Sequence, residues 1–86
     1  MRYLVIVERA ASNYGAYVPD VPGCITTGPT IEKTLEEMQE ALTGHLELMQ
    51  ADGDVIPMPV THDVSTLADN EVAGYVEVKL TANVAP

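Results

Sequence analysis

The stretch "YVPDVPGCITTGPT", Tyr17 to Thr30, decides the fold because it contains the passage from a sheet into a helix. Three prolines, two glycines and the only cysteine of the chain stand within it. Proline fixes φ, aspartate accepts hydrogen bonds from nearby N–H groups, and glycine adopts backbone angles that other residues avoid. We therefore predict a short edge strand over residues 24–27, preceded by a structural corner formed by Pro19, Asp20, Pro22 and Gly23.

Two strands precede this corner. The β-branched run "RYLVIVER", residues 2–9, predicts the first, and "YGAYV", residues 14–18, returns after a turn to complete a hairpin. The middle of the first strand is apolar on both faces, and one helix can cover only one of them. The rest of the chain or a second subunit has to cover the other face, so Leu4 and Ile6 are predicted to lie in an oligomer interface.

A long helix follows the corner, with Thr30 as its predicted N-cap. Apolar residues then recur at spacings of three and four, which predicts one buried stripe: Ile31, Leu35, Met38, Leu42, His45 or Leu46, and Met49. Gly53 suits the left-handed conformation with which many helices end, and two later prolines prevent the helix from continuing. Residues 54–71 are expected to be a loop-rich crossing, and "AGYVEVKL", residues 73–80, alternates as a half-buried final strand.

The order β-β-β-α-β predicts the α+β fold class, with one long helix packed on a small antiparallel sheet. The 86 residues suffice for one small domain, which we place at residues 1–80. Residues 81–86 are expected to be a disordered tail.

Negative charge dominates the composition, since thirteen acidic and four basic residues give a net charge of −9. Ten of the acids stand between Glu32 and Glu71, where Lys33 is the only base. Such a chain is poorly suited to bind nucleic acid, because affinity for phosphates comes largely from Lys and Arg. The charge either keeps a small domain soluble or attracts a basic protein. For the second case, the predicted contacts on the helix are Glu36, Glu37 and Glu40.

The predicted compartment is the cytoplasm. One cysteine cannot form an internal disulfide, which indicates a reducing environment. The longest purely apolar run, Leu4 to Val7, is far too short for a spanning helix. No membrane association is therefore expected.

The residues give little support for catalysis or metal binding. Glu8 and Asp20 could approach each other across the first strands, but a two-metal nuclease site needs further carboxylates. A lone cysteine and two distant histidines, Cys24, His45 and His62, lack the spacing of metal ligands. We expect no catalytic residue, no cofactor and no metal. Asp20, in an exposed corner, and Met58, held extended between two prolines, are instead predicted partner contacts.

Several elements of the sequence occur together in a characteristic order. They are a hydrophobic first strand ending in Glu8, then Gly15 and Tyr17, "PDVPGC" at 19–24, Gly28 and Thr30 before the helix, "EAL" at 40–42, "DGDVIPMP" at 52–59 and a final "YVEVKL" strand. In this order and spacing, which covers about residues 2 to 80, the sequence resembles the HicB family of antitoxins.

The resemblance implies a partial ribonuclease-H-like fold and a homodimer or tetramer. It also implies binding of HicA, a small basic toxin that cleaves messenger RNA. Complete HicB antitoxins usually carry a C-terminal DNA-binding segment, and this sequence ends at Pro86 without one, so no direct DNA binding is expected. At the helix start, Lys33 stands where the family often has the Glu of a capping box.

The sequence therefore leaves three candidate functions. The leading one is a HicB-like antitoxin, or a solitary relative of that family, which neutralises a HicA-type toxin by occlusion. The alternative is a homo-oligomeric scaffold without a toxin partner, built through the doubly apolar sheet. The third, a metal-dependent nuclease of the ribonuclease-H type, lacks the required set of carboxylates.

Overall fold

The computed structural model describes residues 1–80, and the predicted tail at 81–86 lies outside the described residues. The elements follow the predicted order. They are β1 (Arg2–Arg9), β2 (Tyr14–Val18), β3 (Val21–Gly28), α1 (Ile31–Ala51) and β4 (Glu71–Glu77). The predicted α+β class and the β-β-β-α-β arrangement are thus confirmed.

The strands form one antiparallel sheet in the order β3-β2-β1-β4. β1 is central: Ile6 lies opposite Tyr17 of β2, and Leu4 lies opposite Tyr75 of β4. We call the end of the sheet at Arg9 the upper end and the end at Arg2 the lower end. The face that α1 covers is the inner face, and the opposite one is the outer face.

The core fills the space between the inner face and α1. Its strand residues include Tyr3, Val5 and Val7, and its helix residues include Met38, Leu42 and Leu46. The predicted apolar stripe is only partly right, because its first residue, Ile31, is 37% exposed and Thr34 is fully buried instead. His45 and Leu46 were the two candidates for one place in the stripe. Leu46 is buried, whereas His45 is only half-buried.

Gly28 explains the position of Thr34. A Cβ atom on Gly28 would lie 2.7 Å from the Thr34 hydroxyl oxygen and 3.0 Å from its backbone nitrogen. Because glycine has no Cβ, the first turn of α1 can lie directly against the end of β3. This contact turns Thr34 toward the sheet and leaves Ile31 at the margin.

The corner at the start of β3 is shorter than predicted. Only Pro19 and Asp20 form the turn, and β3 begins at Val21, so Pro22 and Gly23 belong to the strand. The ladder shifts its register at Tyr17/Val18, and Gly23 has a φ of 89°, an angle that favours glycine. Proline is tolerated here because β3 is an edge strand, as predicted.

The ends of α1 and the position of β4 are close to those predicted. The hydroxyl of Thr30 accepts a hydrogen bond from the backbone N–H of Lys33 at 3.0 Å, which confirms the N-cap. Gly53 follows the helix with a φ of 77°. β4 begins two residues earlier than predicted and ends at Glu77. Val76 and Val78 are buried, in keeping with the predicted alternation of residues 73–80.

Residues 54–70, which we call the crossing segment, connect the lower end of α1 with the upper end of β4. At the lower end, Thr61 donates two hydrogen bonds to Asp20. At the upper end, Asn70 exchanges hydrogen bonds with the backbone of Arg9. Between these points, the Tyr75 hydroxyl on the outer face donates to the carbonyl oxygen of His62 at 2.7 Å. The segment therefore passes over the outer face.

This path corrects the expectation for Leu4 and Ile6. Both residues are only 1% exposed within the single chain, although they lie on the face opposite to α1. The crossing segment and the neighbouring tyrosines cover them, so neither side chain lies on the surface that a second subunit could contact. The first strand is indeed covered on both faces, but the chain itself supplies the second cover.

Candidate functional site

The solvent side of α1 carries a continuous acidic surface. Its buried residues, Thr34, Met38, Leu42 and Leu46, follow one another at intervals of four, and successive residues of a helix are rotated by about 100°. The opposite side therefore presents five exposed glutamates, which we call the acidic face: Glu32, Glu36, Glu37, Glu40 and Glu47.

Little positive charge balances the acidic face. Within residues 1–80 its one recorded ion pair joins the Lys33 ammonium to Glu36 at 3.2 Å, and both side chains are more than half exposed. Exposed pairs of this kind contribute little stability. Glu36 and Glu40 are also like charges four residues apart, which costs a helix about 0.2–0.5 kcal/mol. The arrangement maintains a strong negative field at a small cost in stability.

Asp20, another predicted partner contact, already accepts hydrogen bonds from within the chain. One carboxylate oxygen accepts from the backbone N–H of Thr61 at 2.9 Å, and the other accepts from the Thr61 hydroxyl at 2.7 Å. The residue is half-buried. Its hydrogen bonds hold the crossing segment to the β2–β3 turn. Asp20 lies at the lower end of the sheet, apart from the acidic face.

Met58, also a predicted partner contact, is exposed. Its side chain is 58% exposed, and Val60, two residues later, is 73% exposed. The Tyr3 hydroxyl donates to the carbonyl oxygen of Pro57 at 2.6 Å and thereby anchors this part of the crossing segment to β1. Met58 therefore lies on the same lower end as Asp20, while Glu36, Glu37 and Glu40 lie on α1.

The two carboxylates considered for catalysis are far apart. Glu8 lies opposite Gly15 near the upper end, and Asp20 lies five residues beyond Gly15 at the lower end. The three strand steps from Gly15 to Val18 alone, at about 3.3 Å each, separate the two levels by roughly 10 Å, and Asp20 lies beyond Val18 in the turn. Within residues 1–80 no group of three or more His, Cys, Asp and Glu side chains is placed to hold a metal ion.

Cys24 is part of the core. It is buried, and its sulfur lies 3.7 Å from the sulfur of Met38. Burial raises the pKa of the Cys24 thiol, which disfavours the reactive thiolate.

The outer face exposes aromatic and aliphatic side chains that the sequence analysis did not select. Tyr17 and Ile25 lie opposite each other in the β2–β3 ladder, and they are 42% and 70% exposed. Tyr75, also 42% exposed, carries the Arg2 guanidinium 4.2 Å from its ring centre. The alternation of buried Ala16 and Val18 with Tyr17 is the signal that could have found this surface.

In the part of the chain that the structure describes, no helix is both long and apolar enough to cross a membrane. The helix-covered antiparallel sheet and the acidic face are thus the features to compare with known proteins.

Two solved structures share this fold. The N-terminal domain of the Burkholderia pseudomallei antitoxin HicB is 29% identical, with a TM-score of 0.69, and the match covers 93% of this chain and 100% of that one. A chain in a HicA3 and HicB3 toxin-antitoxin complex is 23% identical, with a TM-score of 0.73 and the same coverage.

The sequence comparisons agree with the structural ones. An uncharacterized 14.9 kDa protein of Haemophilus phage HP1 is 35% identical over 57 residues, which are 66% of this chain and 43% of that protein. The chain thus spans less than half the length of this relative. Residues 3–85 match the family described as the HicB_like antitoxin of bacterial toxin-antitoxin systems. With nearly its whole length inside that match, the chain belongs to the HicB-like antitoxin family.

Proposed function

We propose that this protein neutralises a small, basic HicA-type toxin by binding it and covering its RNA-binding surface. Membership of the antitoxin family supports the general role, and the HicA3–HicB3 complex supports the kind of partner, because one of its chains has the same fold. The observation that carries the proposal is the acidic face, with its five exposed glutamates on one side of α1.

The physical basis is charge complementarity. A toxin that cleaves RNA needs Lys and Arg to hold phosphates, and the carboxylates of α1 offer the same negative charge. Complementary potentials speed the encounter and select the partner. Apolar contacts beside the charges, for which Met58 is the candidate, would then slow dissociation. In this mechanism the antitoxin needs no catalytic group, cofactor or metal.

The proposed setting follows from the target. A toxin that cleaves messenger RNA has to be neutralised in the cytoplasm, where its substrate is. The chain itself is not proposed to contact DNA, because its four basic residues cannot neutralise many phosphates. Self-association as a dimer or tetramer is part of the proposal.

The experiment uses a purified HicA-type toxin from the same genome and measures its affinity at several salt concentrations. The variant Glu36→Lys/Glu37→Lys/Glu40→Lys reverses three charges of the acidic face. We expect weaker binding and a flatter dependence of log Kd on log salt. A matched control, Asp54→Lys/Asp63→Lys/Asp69→Lys, changes the net charge equally at three exposed acids outside α1.

Four outcomes are informative. Loss of affinity in the helix variant alone supports the acidic face as the binding site. Equal losses in both variants would show that only net charge matters. Wild-type affinity in the helix variant would remove α1 from the interface, and absence of binding by the wild type would refute the proposed function.

A further inference from the structure

A cleft opens at the lower end of the outer face, between the sheet and the crossing segment. Arg2 and Tyr75 line it from the sheet, and Pro59 and His62 line it from the crossing segment. Its volume is about 350 Å³, which lies at the small end of the range for small-molecule sites. The cleft is separate from the acidic face, because α1 covers the opposite face of the sheet.

Hydrogen bonds hold the crossing segment in place around this cleft. The carbonyl oxygens of Pro57 and His62 accept from two tyrosine hydroxyls of the sheet, at 2.6 and 2.7 Å. Between these two residues, Thr61 donates two hydrogen bonds to Asp20. The backbone is therefore fixed on both sides of Pro59. A site whose walls are fixed in advance loses little conformational entropy when a ligand enters it.

Arg2 is oriented by stacking, and its hydrogen-bond donors are not used by the protein. The guanidinium lies 4.2 Å from the centre of the Tyr75 ring, and the Tyr75 hydroxyl is itself bonded to the crossing segment. Within residues 1–80 the guanidinium makes no hydrogen bond or ion pair. Its N–H groups form a rigid, planar fork that matches the two oxygens of a carboxylate.

The nearest acid on the sheet already has a cationic partner. Glu77 lies opposite Arg2 in the β1–β4 ladder, but its carboxylate accepts a hydrogen bond from the Met1 ammonium group at 2.7 Å. This hydrogen bond, helped by the charges of Met1, Lys79 and Arg2, lowers the pKa of Glu77. Arg2 is thus left to bind an anion that does not belong to the sheet.

The acids of the crossing segment and the β2–β3 turn set a limit on the ligand. Among the described residues, the lining of the cleft includes no acid, although Asp63 follows His62 in the chain and Asp20 binds the neighbouring Thr61. The whole chain carries a net charge of −9. Each further negative charge on a ligand is therefore opposed, and a singly charged anion is favoured over a doubly charged phosphate.

We propose that this cleft binds a small carboxylate ligand with a flat, apolar body. Arg2 holds the carboxylate through two parallel N–H···O hydrogen bonds, and the imidazole of His62 can donate a third. The body of the ligand lies against the rings of Pro59 and Tyr75. This site goes beyond the proposed neutralisation of a toxin and does not depend on it.

Benzoate is the first probe, because it joins a carboxylate to a flat ring. Titration of the ¹⁵N-labelled full chain, followed by NMR, measures the affinity and locates the site. We expect a Kd below about 10 mM, in keeping with so small a ligand, and the largest amide shifts at Arg2, His62 and Tyr75. Acetate lacks the ring and benzamide lacks the charge, so each should bind at least about fivefold more weakly. Inorganic phosphate should also bind more weakly than benzoate.

Variants at Arg2 test the role of the guanidinium. Arg2→Gln removes the charge and the fork, and we expect it to weaken benzoate binding at least about tenfold. Arg2→Lys keeps the charge without the fork and should also bind more weakly than the wild type. Lys79→Gln is the matched control, because it removes the same charge near Glu77 from a residue outside the lining. Its affinity for benzoate should stay within about twofold of the wild type.

Several outcomes would overturn the proposal. They are absence of benzoate binding, shifts confined to other segments, tighter binding of phosphate, wild-type affinity in Arg2→Gln or Arg2→Lys, and equal losses in Arg2→Gln and Lys79→Gln. Unchanged amide shifts far from the cleft check that each variant is folded. Arg2→Gln should keep wild-type toxin affinity, and the triple glutamate reversal on α1 should keep benzoate binding. Either proposal can therefore fail without the other.

Discussion

Both carboxylate oxygens of Asp20 accept hydrogen bonds from one residue, Thr61, at 2.9 Å from its backbone N–H and at 2.7 Å from its hydroxyl. The two residues are 41 positions apart. Their contact holds the crossing segment to the β2–β3 turn and so helps to keep the cover over Leu4 and Ile6 in place.

Removal of this contact should loosen the crossing segment. We expect Asp20→Ala to lower the free energy of unfolding by about 1.5–3 kcal/mol, the range for hydrogen bonds to a charged group. Urea denaturation measures the loss, and hydrogen exchange should locate it in the crossing segment. Asp63→Ala, at an exposed aspartate, is the control and should change stability by less than about 0.5 kcal/mol. Equal effects of the two variants would contradict the role of Asp20.

The apolar residues buried on the outer face should stabilise the single chain. Ile6 is 1% exposed, so Ile6→Ala should cost about 2–5 kcal/mol. Because the chain itself covers Ile6, this loss should be the same at low and high protein concentration. Ile25→Ala, at a 70% exposed position, should cost the dilute chain less than about 0.5 kcal/mol. A destabilisation by Ile6→Ala that appears only at high concentration would return this residue to a subunit interface.

Two glycines should respond oppositely to alanine. At Gly28 a Cβ would lie 2.7 Å from the hydroxyl oxygen of Thr34, so Gly28→Ala forces α1 away from β3 and should cost about 1–3 kcal/mol. At Gly44, inside α1, a Cβ meets nothing within 4 Å. Gly44→Ala should therefore stabilise by about 0.5–1 kcal/mol. Thermal unfolding measures both changes, and the same sign for the two would contradict this account of the close contact.

Tyr3 should make stability depend on pH in alkaline solution. Burial, together with the charge of Asp20, raises the pKa of Tyr3 above its usual 10.0. The unfolded chain therefore loses this proton first, and stability falls as pH rises from about 10 toward the folded pKa.

Tyr3→Phe removes that ionisation and the hydrogen bond to Pro57 at 2.6 Å. We expect a loss of about 1–2 kcal/mol at neutral pH and a smaller further loss above pH 10 than in the wild type. Denaturation midpoints at pH 7 and above pH 10 provide the comparison. Parallel decreases in both proteins would show that Tyr3 does not contribute to the alkaline loss.

Local sequence patterns predicted the elements well where the signal is short-range. The Thr30 hydroxyl accepts from a backbone N–H three residues later, and a threonine before an apolar repeat is sufficient to suggest this. The acidic face also followed from spacing alone. The burial of Thr34 in place of Ile31 could not be predicted in this way, because it depends on the contact with Gly28 in another element.

Long-range contacts limited the prediction of the surfaces. The apolar alternation in β1 correctly indicated that both faces are covered, but it could not identify the cover. The answer depends on single hydrogen bonds, such as that from Tyr75 to His62, made by a segment with no regular secondary structure. The hydrogen bonds of Asp20 could not be predicted for the same reason: its partner, Thr61, is far away in the sequence.

The central place of β1 has a consequence for synthesis on the ribosome. β1 is made first, yet it pairs on one side with residues 71–77. Until these residues leave the exit tunnel, one side of β1 has no partner, and a contact of such long sequence separation slows folding. Until then the incomplete sheet is open to proteases. Formation of the folded domain should therefore depend on translation reaching Glu77 as well as on its initiation.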